Sequence, residues 1–160
     1  MSYKNKLFQY KKPYDTSAAN MLFLKAMQEN CFYQYEHCAD YRRILEEKGF
    51  HPSDLKEYAD LERLPFIPTL YFKQHALFSM PSGRLLIKAT SSGTSGSKSR
   101  MGFNFFSLYR GLRMVLTVGM YHHVFSMQPA HYLVFGYERN KNNQIVFSKT
   151  AYGFTYFAPA

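Results

Sequence analysis

Apolar residues recur at helical spacing early in the chain, at Met21, Leu24, Met27, Cys31, Tyr35 and Cys38. With Asp15-Thr16-Ser17 offering N-cap side chains ahead of them, the pattern predicts a helix running to about Ala39. A second helical stretch, Tyr41 to Lys48, ends at Gly49, a residue suited to stopping a helix. Ser53-Asp54 opens a short helix that Pro65 closes. Leu85 to Ala89 and His131 to Tyr137 are continuous apolar runs of strand length. Asn140-Lys141-Asn142-Asn143 is a turn cluster, so Gln144 to Ser148 is predicted to form a hairpin with the strand before it. Between these strands, Phe105 to Phe125 is apolar on most sides, with Arg110, Arg113 and Thr117 as a narrow polar stripe. That distribution predicts a helix packed into a core with one edge toward solvent or ligand. The order amounts to an α/β arrangement, a helical leading segment followed by a sheet with packed helices.

The run from Ser91 to Arg100, Ser-Ser-Gly-Thr-Ser-Gly-Ser-Lys-Ser-Arg, interrupts this pattern between the strand at 85–89 and the long helix. Gly93 and Gly96 lack Cβ and let a backbone approach a ligand closely. Ser91, Ser92, Thr94 and Ser95 carry hydroxyls that can donate to phosphate oxygens, and Lys98 or Arg100 can offset phosphate charge. A strand running into such a turn is a usual phosphate cradle, although Gly and Ser also fill ordinary solvated loops. The spacing is neither that of a Walker A loop, which needs four residues between its glycines and Gly-Lys at the end, nor that of a dinucleotide-binding loop.

Composition narrows the class. The 160 residues are 46% hydrophobic, with 14 Tyr and 15 Phe, enough for a core, and no apolar stretch reaches bilayer length. No apolar run follows the opening Met-Ser-Tyr-Lys-Asn-Lys, which excludes a secretory signal and leads to an expected cytoplasmic location. The net charge of +9 raises nucleic-acid binding, but the cations are dispersed along the chain. Only Lys4, Lys6, Lys11 and Lys12 interleave with aromatics, and a basic arm of that kind is usually a solvated tail. Cys31 and Cys38 lie about 10 Å apart along a helix, too far for a disulfide. With His37 beside Cys38 pointing elsewhere, buried helical cysteines are expected rather than a zinc site. His122-His123 near the end of the long helix can serve in acid/base chemistry or favour the helix C-terminus electrostatically, and the second use is expected.

Ser91 to Ser97 resembles, position by position, the phosphate loop of the adenylate-forming, acyl-activating enzymes. The match then departs: Lys98 stands where that family usually has Pro, and Ser99 where it has Lys. Upstream, Asn30-Cys31-Phe32-Tyr33, Lys48-Gly49-Phe50-His51-Pro52 and Leu61 to Pro68 are similar, in the same order, to the leading segment of LuxE-type acyl-protein synthetases and phenylacetate-CoA-ligase-like proteins. The Pro-Phe-Ile-Pro-Thr-Leu-Tyr-Phe-Lys run favours the LuxE-type branch. The resemblance covers roughly residues 20 to 135.

What the resemblance implies is the N-terminal part of an adenylate-forming large domain. Residues 1–16 would be a basic N-terminal arm, and 17–160 the N-terminal portion of an AMP-binding domain truncated at its C-terminus. The implied activity is ATP-dependent conversion of a carboxylic, fatty-type acid to an acyl-adenylate, with transfer to a protein thiol or CoA. Ser91, Ser92, Gly93, Thr94, Ser95, Gly96 and Lys98 would hold the ATP phosphates, and Mg2+ would be required, with ligands outside the chain. The isolated chain is expected to be inactive, and its catalytic residues are not identified. A non-catalytic or degenerate fragment of the same fold is the alternative, favoured by the displaced lysine; a basic nucleic-acid-binding module is the weaker one.

Overall fold

The computed structural model describes residues 2–12, 14–91, 99–125, 127–129, 131–133, 135, 153, 155 and 156. In chain order the elements are α1 (Tyr3–Phe8), α2 (Thr16–His37), α3 (Ala39–Glu47), 3-10 turns at Pro52–Asp54 and Tyr58–Arg63, α4 (Thr69–Gln74), a third 3-10 turn at Ser82–Arg84, β1 (Ile87–Thr90), β2 (Arg100–Phe103) and α5 (Phe105–Tyr121). A helical leading segment is thus followed by a small sheet and a helix packed beside it.

The Asp15 carboxylate accepts from Ala18 N–H and starts α2, as its side chain predicts. The helix stops at His37 because Cys38 takes an extended conformation, φ −127° and ψ 101°, making an elbow into α3. Arg42 secures that elbow from the far side. Its guanidinium donates to the carbonyls of Tyr35 and Glu36, two acceptors left open at the end of α2. At the end of α3, Gly49 takes φ +63° and its N–H bonds the Glu46 carbonyl, while Phe50 N–H reaches back to Leu45. This paired return fastens Phe50 over Leu45. Both side chains belong to the core, with Leu24, Cys31 and Leu55.

The segment after Pro52 differs from the single short helix expected before Pro65. Two 3-10 turns form instead, because Asp54 accepts from His51 N–H, and Asp60 from the N–H groups of Lys56 and Glu57. Each carboxylate closes its own local turn, and helical propagation stops there.

The N-terminal residues also differ from a solvated arm. Residues 3–8 are helical and lie against α2. Glu29 on α2 accepts from Ser2 Oγ at 2.5 Å and from Lys4 N–H at 3.3 Å, and pairs with the Lys4 ammonium at 3.8 Å. One carboxylate therefore anchors the whole first turn of α1.

Strand β1 begins at Ile87, two residues later than the apolar run suggests, and β2 begins at Arg100, where the sequence offers either the start of a strand or a solvent-facing residue. Helix α5 begins at Phe105, where the Asn104 side chain accepts from Ser107 N–H at 2.8 Å. It ends at Tyr121, four residues short of Phe125. His123 is left-handed there, φ +55°, its N–H bonding Met120, and Val124 N–H returns to Gly119. The packed helix expected here is covered on one side only among the described residues. Phe105, Tyr109, Leu112 and Met120 are all exposed, Met120 by 67%, and Gly119 is the one buried residue. Of the strand expected at 131–137, the described residues 131–133 and 135 are not in a strand. The segment 144–148 lies outside the described residues.

Candidate functional site

The hydroxyl-rich run lies in sequence between two paired strands. Strands β1 and β2 pair antiparallel with Ile87 opposite Phe103, Lys88 opposite Gly102, Ala89 opposite Met101 and Thr90 opposite Arg100. One step beyond the last pair, Ser91 N–H donates to the Ser99 carbonyl at 3.1 Å, and Ser99 N–H donates to Ser91 Oγ at 3.0 Å. Ser91 and Ser99 thereby clasp the base of the loop. Ser91, expected to serve phosphate, accepts this backbone bond and keeps its own proton for donation. Ser92, Gly93, Thr94, Ser95, Gly96 and Lys98 lie outside the described residues.

Facing residues of an antiparallel ladder share a side, as do residues two apart on one strand. Lys88, Thr90 and Arg100 therefore point to one side of the hairpin, and Ile87, Ala89, Met101 and Phe103 to the other. Ala89 is the buried one of these. Arg100 begins β2 and is exposed, its backbone held by the ladder. Lys88, two residues before Thr90, adds a second cation to the same face. Sequence reasoning passed over it because it sits inside an apolar run, and only the register reveals its side. Gly102 packs closely under Leu85: a Cβ there would stand 2.6 Å from Leu85 Cδ1, so the Leu85 side chain would have to shift.

Beside β2 opens a polar cleft of about 650 Å³ walled by α1, α2 and α5. Lys4, Asn30, Tyr33, Gln34, Asn104 and Arg110 contribute its polar groups. Asn30 and Tyr33, from the Asn-Cys-Phe-Tyr stretch, thus face the segment that follows the hydroxyl loop, while Cys31 between them turns into the core. Two stretches about seventy residues apart in sequence meet here. Arg110 donates to Asn5 Oδ1 at 2.8 Å and so joins α5 to α1. Burial lowers the Lys4 pKa; the Glu29 carboxylate opposes that shift and the Arg110 charge adds to it.

The other sequence candidates disperse. Of the polar stripe on α5, Arg110 lies in the polar cleft, Arg113 is exposed, and Thr117 lines a separate apolar cavity. His122 is the C-cap of α5 and its Nε2 lies 3.0 Å from the Tyr14 hydroxyl. Cys31 and Cys38 are free and buried, as expected, and burial pushes the Cys31 thiol pKa up while the Tyr41 hydroxyl beside it, at 3.3 Å, opposes the shift. Among the described residues no three His, Cys, Asp or Glu side chains gather into a metal site. No helix among them is long and apolar enough to cross a membrane.

Comparison with known proteins accounts for the arrangement. The family described as acyl-protein synthetase, LuxE, matches residues 5–155. A phenylacetate-coenzyme A ligase of Aromatoleum evansii is 31% identical over 85 residues, and one of Thermus thermophilus is 33% identical over 88. These alignments span 51% and 50% of this chain but 19% and 20% of the two ligases, so the chain matches about a fifth of their length. The match to the synthetase family extends over nearly every residue, including both the cleft and the hairpin, and the chain belongs to the LuxE acyl-protein synthetase family of acyl-activating ligases.

Proposed function

We propose that this chain supplies the phosphate-binding part of an enzyme that activates a carboxylic acid, of fatty type, with ATP. In this reading an oxygen of the acid attacks the α-phosphorus of ATP and pyrophosphate leaves; a thiol of a protein or of CoA then attacks the acyl carbon of the acyl-adenylate, forming a thioester and releasing AMP. The observation that carries it is the Ser91–Ser99 clasp in a chain of this family. It joins the two residues that flank the glycine- and hydroxyl-rich run, a composition suited to surrounding an anion. Backbone N–H groups, Thr94 and Lys98 would hold the β and γ phosphates and release pyrophosphate, with Lys88 and Arg100 adding positive charge on one side of the stem. The reading includes ATP and Mg2+ as cofactors, with the magnesium ligands placed outside the described residues, and no step here is routed through the metal. It also includes a cytoplasmic location and an AMP-binding domain whose N-terminal portion is residues 17–160. It has no part for nucleic acid.

The test is equilibrium binding of ATP to the parent chain and to Thr94→Val, which keeps the shape and removes the hydroxyl. Loss of one hydrogen bond to a charged oxygen costs about 1.5–3 kcal/mol, so affinity should fall at least tenfold. Equal affinities would show that the loop does not hold the phosphates.

A further inference from the structure

Exposed lysines gather where the end of α1 meets the first turns of α2. Lys6, Lys11 and Lys12 line an open groove of about 550 Å³, with Ala18 and Leu22 of α2 as its other wall. Lys25 continues that wall, since residues 18, 22 and 25 succeed one another on one face of a helix. Lys6 and Lys25 then approach the same Tyr3 ring, at 5.2 and 5.3 Å from its centre, so one side chain brings two ammonium groups together from two helices.

Among the described residues no ion pair neutralises any of these four lysines. The carboxylates on the same face of α2 are engaged within the fold. Asp15, which lines the groove, is the N-cap of α2 and accepts from Ala18 N–H and Ser17 Oγ. Glu29, one turn beyond Lys25, holds Ser2 and Lys4. Like charges crowded on one surface repel wherever their spacing approaches the screening length, about 8 Å in physiological salt. Carboxylates supplied from outside relieve that repulsion.

The chemistry of the groove selects among polyanions. Its cations are lysines, and no arginine lines it to fork onto a phosphate. Tyr10 is half-buried and the Tyr3 ring already carries two ammonium groups, so neither offers an open face for base stacking. The groove is concave between two helices, a shape that receives a chain and not the plane of a bilayer. We infer that the groove of Lys6, Lys11, Lys12 and Lys25 docks a carboxylate-rich segment of a partner protein. This docking depends on neither ATP nor acid activation.

Fluorescence anisotropy of the 160-residue chain with a labelled decapeptide of alternating Glu and Gly tests this, beside the same peptide with Gln for Glu. The Glu peptide should bind and the Gln peptide should not, and raising NaCl from 50 to 300 mM should weaken binding about threefold or more. Lys6→Gln with Lys25→Gln should weaken the Glu peptide about fivefold. Lys48→Gln with Lys56→Gln, which removes the same charge from exposed positions beyond α3, should leave it unchanged. Lys11→Gln with Lys12→Gln should repeat the loss from the other part of the groove, and stands in if circular dichroism shows the first pair unfolded. Failure of the Glu peptide to bind at 50 mM NaCl, or equal binding of the Gln peptide, overturns the docking site. Equal losses in the groove and control pairs also overturn it, because binding then follows net charge alone. A labelled thymidine decanucleotide and phosphatidylserine vesicles are the competing polyanions. Tighter binding of either one than of the Glu peptide, lost in the groove variants, overturns the protein partner in favour of nucleic acid or of a membrane surface.

Discussion

Ser99 donates its backbone N–H to the side-chain oxygen of Ser91 at 3.0 Å, one step past the Thr90–Arg100 pair that ends the ladder. Arg100 is therefore part of the hairpin stem, whereas Lys98 precedes the clasp in sequence. Lys98→Ala should accordingly weaken ATP binding more than Arg100→Ala, and Lys98→Arg should recover only part of the loss, since a planar fork replaces a compact ammonium. Parallel titrations decide it. Severe loss in Arg100→Ala with near-normal Lys98→Ala would place the phosphates over the stem instead of the turn.

This 160-residue chain, acting alone, should make no acyl-adenylate, because a phosphate loop without the remainder of a reaction cleft does not preorganise the attacking and leaving groups. Pyrophosphate exchange into ATP with a panel of fatty and aryl acids measures it. Acid-dependent exchange above background would show that the chain is catalytically sufficient.

Two helices end in the same left-handed return, one with Gly49 and one with His123. A residue bearing Cβ costs about 1–2 kcal/mol in that conformation. Gly49→Ala should destabilise the chain by about that amount, and His123→Gly should stabilise it by about 0.5–1 kcal/mol. Urea midpoints at unchanged slope give both values, and no change in Gly49→Ala would mean that the α3 terminus rearranges.

Burial opposes ionisation of Glu29, but bonds from Ser2, Lys4 and Tyr3, together with the Lys4 charge, outweigh it and hold the carboxyl below its ordinary range. A carboxylate depressed in the folded state contributes stability above its unfolded pKa, about 4.3, and loses it as pH falls through the folded value. Stability measured against pH should therefore drop more steeply below about pH 4.5 in the parent than in Glu29→Gln. Parallel curves would remove Glu29 as the anchor of α1.

Elements whose cause is local were legible in the sequence. Asp15 announces α2 and Gly49 ends α3 because a cap or a left-handed stop depends on one or two neighbouring residues. The family resemblance was legible too, in the order of three short stretches. Strand β2 was legible only at its start, Arg100: four residues with Gly102 among them give no periodicity, and its extent is set by the ladder with β1. Helix α1 was hidden for a similar reason, since its stability comes from Glu29, some 25 residues away. At the site, residue types pointed to the loop, but the clasp at its base and the side on which Lys88 and Arg100 project depend on strand register. The meeting of Asn30 and Tyr33 with Arg110 depends on how two helices pack, which spacing along either helix does not encode.

The elbow at Cys38 gives the molecule an internal clock. Cys38 at the elbow and Cys31 one stretch earlier on α2 are only 5% and 2% exposed. A small alkylating reagent can reach either sulfur only while the surrounding structure is open, so the labelling rate counts openings, and slow reagents report their equilibrium population. Cys38 reads the joint that Arg42 ties, and Cys31 reads the core beneath it. The difference between the two rates, followed in one polypeptide with no added probe, separates hinge breathing from loss of the core.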